Sequence, residues 1–188
     1  MINFPRNPPE MTLLNLLWKQ GIPTCGIGKI KDLFSGEGLS DSFPTINNLD
    51  GMEQTLYALD KINHGLIMTN RIDFDMLYIS RLDSTGFAMA LQEFDRWLPE
   101  LYKKMSTTDL LMVTADHGCD LTTSGADHSR EYVPLLLSSK AISAPKKMGI
   151  RQSFADVGVT VADNFQLVLS AGKSFLPELK PGIRGLYC

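Results

Sequence analysis

The sequence predicts an α/β fold, with a mostly parallel sheet flanked by helices. Three observations carry that prediction. Short apolar runs alternate with stretches of helical period along the chain. Two of the helical stripes are long, Leu49-Met52-Leu56-Leu59-Ile62 and Phe87-Leu91-Phe94-Leu98-Leu101, and each spacing gathers its residues on one helix face. The run LLMVTA at 110–115 is apolar almost throughout, the pattern of a strand covered on both faces in a parallel sheet.

In chain order, residues 1–9 read as irregular because of Pro5, Pro8 and Pro9. Residues 12–19 read as a helix capped by the Thr12 hydroxyl and stopped by Gly21. Residues 22–27 (IPTCGI) read as a strand, and 34–47, with Gly36, Gly38 and Pro44, as a loop. Asn48 is placed to cap the first long-striped helix. A strand is expected at 65–69 (GLIMT), then a polar stretch, then a helix capped by Ser84 and kinked or split at Pro99. The 110–115 strand leads into a Gly-, Asp- and His-rich loop from Asp116 to Glu131. A further strand follows at 132–138, where Pro134 suggests an edge or bulge. Ser153 and Asp156 resemble a capping box opening a helix with Phe154, Val157, Val161 and Phe165. Signals after residue 170 are weak. The expected organisation is one α/β domain over 1–188, with 1–9 and 171–188 peripheral.

The 188 residues are 44% hydrophobic and 21% charged with a net charge of -3, an ordinary globular balance that gives no reason to expect nucleic acid or an anionic membrane as a partner. No apolar run approaches the length that crosses a bilayer, and MINFPRNPPEM lacks the apolar core of a secretory signal. Three widely spaced cysteines, Cys25, Cys119 and Cys188, do not make a disulfide framework. The expected location is the cytoplasm.

In open α/β sheets, sites form at the carboxyl ends of strands, and two polar segments occupy such places. Residues 114–137 hold Asp116, His117, Asp120, Asp127 and His128. Carboxylate oxygen with imidazole nitrogen suits Zn²⁺ or Mn²⁺. The residues alone leave a second reading open, a polar turn whose histidines only cap. Residues 70–86 hold Asp73, Asp75 and Asp83, ligand candidates for a divalent cation. Surface charge partnered by Arg71 and Arg81 is the simpler reading of those residues alone. Cys119 reads as a small filler, and the glycine-rich stretch 26–38 matches no phosphate-binding loop.

The chain as a whole resembles the C-terminal portion of the phosphopentomutase family, within the alkaline-phosphatase-like metalloenzymes. The stretches that carry the resemblance are GIGKIKDLFSGEG at 26–38, DFDMLYISRLDSTGFAMAL at 73–91, TADHGCD at 114–120, GADHSREYVPLLL at 125–137 and FADVGVTVADNF at 154–165. It implies a partial alkaline-phosphatase-like core, with interconversion of ribose 1-phosphate and ribose 5-phosphate through two metals, commonly Mn²⁺, and a phosphorylated threonine. On the family plan Asp116 and His117 bind one metal, and Asp75 and His128 the other. Ser80 stands where the family has a metal-binding histidine. The family's N-terminal aspartate, its nucleophilic threonine and its cap domain have no counterpart here, so no catalytic residue is assigned.

Two ligands per ion predict weak or absent binding of Mn²⁺ or Zn²⁺. The resemblance therefore implies an impaired or incomplete phosphotransferase that takes a pentose phosphate once the missing half is supplied. Two other readings stand beside it. One is a non-catalytic interaction module, including a homo-oligomer formed through exposed core surface. The other is a different phosphomutase or phosphatase of the same superfamily, such as a cofactor-independent phosphoglycerate mutase.

Overall fold

The computed structural model describes residues 8–123 and 128–179. Within it the contacts group into two units, Met1–Lys104 with His117–Tyr132 and Met105–Asp116 with Val133–Cys188.

The first unit is built on a parallel sheet of β1 (Thr24–Ile27), β2 (Asp41–Phe43) and β3 (Leu66–Thr69) in the order β2-β1-β3. Cys25 sits opposite Asp41 on one side and Ile67 on the other. All four residues of β1 are buried, as the central strand requires. Helix α1 (Leu13–Lys19) opens with a complete capping box: Thr12 accepts from the Asn15 amide at 3.2 Å and the Asn15 side chain accepts from the Thr12 amide at 3.1 Å. It closes on Gly21 at φ +70°, with the amides of Gly21 and Ile22 donating to the carbonyls of Trp18 and Leu17. Its Leu14 and Leu17 are buried. Short helix α2 (Ile30–Leu33) follows β1, and α3 (Asn48–Lys61) packs against β1 and β3. The core gathers Cys25, Ile27 and Ala58, flanked by Phe43, Ile62 and Ile67. Burial, and secondarily Asp41, pushes the Cys25 thiol up to about 11.

Several details differ from the sequence reading. The 34–47 segment is not all loop, because β2 lies inside it and extends the sheet. Asn47, not Asn48, caps α3, accepting from the Asp50 amide at 2.8 Å. Asp83, not Ser84, caps α4 (Ser84–Lys104), accepting from the Gly86 amide at 2.8 Å. Helix α4 runs unbroken through Pro99. The proline removes the donor for the Asp95 carbonyl, and both residues lie on the exposed side, where water can serve that carbonyl. Leu49 and Leu91 of the two stripes are 58% and 48% exposed, while Met52 and Leu101 are buried.

The second unit holds β4 (Leu111–Thr114), β5 (Leu135–Ser138), α5 (Ala155–Asn164) and α6 (Leu176–Leu179). β4 pairs antiparallel with β5, Leu111 opposite Ser138 and Thr114 opposite Leu135, and is half-buried to exposed rather than covered on both faces. No helix intervenes between these two strands, so the crossover that a parallel pair needs is absent among the described residues. Parallel pairings still make up most of the described sheet structure.

Ser153 serves the start of α5, accepting from the Ala155 amide at 3.1 Å, but Asp156 does not reach back to complete a box. Its buried carboxylate instead accepts from Arg151 Nε at 3.3 Å and the Lys173 amide at 2.9 Å. Phe175 and Leu176, in the tail where sequence signals are weak, are buried. Thr160 Oγ1 donates to the Asp156 carbonyl at 2.7 Å and accepts from the Phe175 amide at 3.0 Å, which fixes that tail on α5. No described helix is long and apolar enough to cross a membrane.

Candidate metal centre

The carboxyl ends of the parallel strands converge. The chain leaves β1 through Gly28 and Lys29 and leaves β3 through Asn70 and Arg71. Gly28 has φ +77°, and a Cβ there would stand 2.3 Å from the Asn70 carbonyl, so only glycine lets the two exits run this close. Beyond Arg71 the backbone winds into a π-turn at Phe74–Tyr78 and a 3₁₀ turn at Ile79–Arg81, which ends on Leu82 at φ +53°. Asp75 rides on the π-turn. Asp73 does not face a ligand position: its carboxylate accepts from the Asn48 amide at 2.7 Å while its own amide donates to the Asn48 side chain at 3.1 Å. That reciprocal pair ties the turn to the start of α3.

The two histidines come from the loop after β4. An isolated antiparallel bridge joins Gly118 to Ser129, with the Ser129 amide donating to the Gly118 carbonyl at 3.3 Å. Ser129 Oγ accepts from the Asp120 amide at 2.7 Å. The strands pass so closely that a Cβ on Gly118 would lie 2.7 Å from backbone atoms of Glu131. This bridge brings the rings of His117 and His128 into a stack, with centroids 3.5 Å apart and planes at 12°.

His128 Nε2 lies 3.3 Å from Asp75 Oδ1, and Lys29 Nζ lies 3.9 Å from Asp75 Oδ2. His117 Nδ1 lies 3.1 Å from the Gly118 carbonyl oxygen. Each of Asp75, His117 and His128 offers a ligand atom, and the three atoms all lie within 4.8 Å of one another. One hard oxygen and two imidazole nitrogens make a donor set that fits a divalent transition metal or zinc.

Of the residues singled out in the sequence, Asp75, His117 and His128 are thus brought together. Asp116 is exposed, belongs to the second unit and is not one of the three. Asp120 is occupied by Thr122, whose hydroxyl and amide donate to it at 2.6 and 2.9 Å and hold its carboxyl below the usual range. Asp127 lies outside the described residues. Desolvation first, then Asp120 and Asp75, push the Cys119 thiol up, and Cys119 is not one of the three clustered residues. Ser80 is exposed on the 3₁₀ turn, and its Oγ donates to the Met76 carbonyl at 2.7 Å. Sequence reasoning missed Lys29, which carries no ligand-type signal and is found only through the convergence of the two strand exits.

The family model of the metalloenzyme superfamily matches residues 26–169. The chain belongs to the metalloenzyme superfamily. Membership in this superfamily implies a divalent metal, and the matched span contains all three clustered residues. Among curated relatives, the phosphopentomutase of Syntrophotalea carbinolica is 47% identical over 177 residues, which is 94% of this chain and 45% of that protein. The phosphopentomutase of Caldanaerobacter subterraneus is 44% identical over 178 residues, again 94% of this chain and 45% of the relative. That of Desulfitobacterium hafniense is 47% identical over 173 residues, 92% of this chain and 45% of the relative. This superfamily member therefore spans about half the length of the curated relatives it matches.

Proposed function

We infer that the chain carries one part of a phosphopentomutase-type site. In this reading Asp75, His117 and His128 hold a single divalent ion, Mn²⁺ or Zn²⁺, and the chain is impaired in mutase chemistry as it stands. The observation that supports it most is the cluster of three donor atoms within 4.8 Å, in a chain similar to phosphopentomutases over 94% of its length.

When bound, the ion supplies positive charge to phosphoryl oxygens. The protein's own groups set its position: the π-turn presents the Asp75 oxygen, and the Gly118–Ser129 bridge presents the two imidazoles. A complementary section, joined to this chain or separate from it, would supply the nucleophile and the remaining metal ligands. The substrate class on this reading is the pentose phosphates, ribose 1-phosphate and ribose 5-phosphate. Free thiols at Cys25 and Cys119 suit a cytoplasmic location.

A second reading, an interaction module, is favoured by the apolar side chains left on the surface of the first unit. Ile46, Leu49, Met76 and Met89 are 84%, 58%, 49% and 59% exposed. Both readings predict that this surface takes a partner, either the complementary section or a second copy.

The test is a ribose 1-phosphate/ribose 5-phosphate interconversion assay on three samples. They are the 188-residue chain, the chain with the N-terminal section of a relative added, and that mixture carrying Ser80→His. The chain alone should be inactive, the mixture active and Ser80→His more active, with Mn²⁺ affinity raised about tenfold or more by the added imidazole. Full activity of the chain alone would contradict the reading. So would silence of both mixtures after the added section is seen to bind.

A further inference from the structure

Asp75 is the one member of the cluster that does not come from the His117–His128 loop, so its oxygen is only as well placed as the π-turn that carries it. The Asn48–Asp73 pair holds the near end of that turn. A second attachment involves Arg71. Its guanidinium carbon lies 4.2 Å from the ring centroid of Phe94 on α4 and 5.1 Å from that of Phe74, the residue directly before Asp75. Phe74 also meets Phe87 of α4 edge-on, with centroids 4.9 Å apart.

All three guanidinium nitrogens of Arg71 are buried and have no hydrogen-bond partner among the described residues. This is not the surface ion pair that the sequence suggested. Burial lowers the guanidinium's pKa to about 10, against the opposing pull of Asp73 and Glu93, so the group remains a cation at neutral pH. A desolvated cation without hydrogen bonds is costly, and the two aromatic faces are the attraction this environment offers it.

We propose that Arg71 is a positioning residue for Asp75: its guanidinium, held between the rings of Phe74 and Phe94, pins the π-turn to α4 and so fixes the carboxylate that faces His128. The role of Asp75 as a ligand rests on the function proposed above; the pinning does not.

Mn²⁺ titration followed by electron paramagnetic resonance, and amide hydrogen exchange on the metal-free protein, test this together. Arg71→Leu should weaken Mn²⁺ binding about tenfold, the scale of a desolvated cation–π contact. Arg71→Lys should recover part of the loss. Phe94→Leu should act like Arg71→Leu, and the double variant should be little worse than either single, because both remove one contact. In metal-free Arg71→Leu the amides of Met76, Leu82 and Asp83, which donate to Ile72, Ile79 and Tyr78, should exchange faster while those of β1 do not change.

Unchanged exchange at Met76, Leu82 and Asp83 overturns the proposal, as does acceleration that reaches β1 equally. Faster local exchange with unchanged Mn²⁺ affinity also overturns it as a positioning role. If the wild-type chain binds no Mn²⁺, the metal reading fails by itself. The exchange result then decides the pinning alone, local acceleration supporting it and none refuting it.

Discussion

Replacing His128 by alanine is expected to weaken divalent-metal binding by more than about hundredfold. Changing only the outer partner of a metal ligand already costs about 10- to 100-fold in affinity, and the proposed site would lose one of its three donor groups. Catalytic sites normally keep three protein ligands, so the residual pair of Asp75 and His117 lies below the number that holds an ion well. The fold should tolerate the change. The His128 side chain is 55% exposed, and its contact with Asp75 is an exposed pair worth little to stability. Isothermal titration with Zn²⁺ or Mn²⁺, alongside a thermal melt of the same variant, separates the two effects: affinity should collapse while the melt barely moves. Equal affinity in the variant and the parent would remove His128 from the site.

The second large effect concerns stability. Phe175→Ala is expected to cost about 3–5 kcal/mol, the range for truncating a buried aromatic side chain. Phe175 is fully buried, its amide donates to Thr160 Oγ1, and the Arg151 guanidinium lies 5.2 Å from its ring centroid. Arg151 in turn pairs with Asp156 and Glu178, at 3.3 and 3.0 Å. Removing the ring therefore opens a cavity beside the Arg151 network. Because whole domains are stable by only about 5–15 kcal/mol, urea denaturation should show the second unit unfolding early. A midpoint close to that of the parent would mean that the 173–179 segment is peripheral.

What could be read from the sequence follows the strength of the local signals. The Thr12 cap, the 3.6-residue stripes and the strands expected at 22–27 and 65–69, found at 24–27 and 66–69, were legible because each is specified within a few residues. Asp75, His117 and His128 were legible as chemistry-bearing types at strand ends, and their family pattern is dense. Strand β2 was hidden because three residues, DSF, carry a single apolar side chain between glycine- and proline-rich stretches. The caps at Asn47 and Asp83 were displaced by one residue because Asn47-Asn48 and Asp83-Ser84 each offer two competent side chains, and tertiary contacts choose between them.

The sense of β4 could not be read from its composition, since LMVT suits either pairing and only the partner strand decides. The π-turn was equally silent: a polar segment with Phe74 and Tyr78 carries no periodic signal, and Phe74 meets Phe87 of α4, a helix that comes later in the chain. The family plan assigns Asp116 with His117 and Asp75 with His128 to separate ions. Stacking of His117 on His128, with Asp75 against the latter, joins residues far apart in the chain, and no local pattern announces it.

The most direct test of the central claim is the metal stoichiometry of the purified chain, by elemental analysis after equilibrium dialysis against Mn²⁺ or Zn²⁺. The account predicts one ion per chain, held by Asp75, His117 and His128. No bound ion, or two, would contradict it.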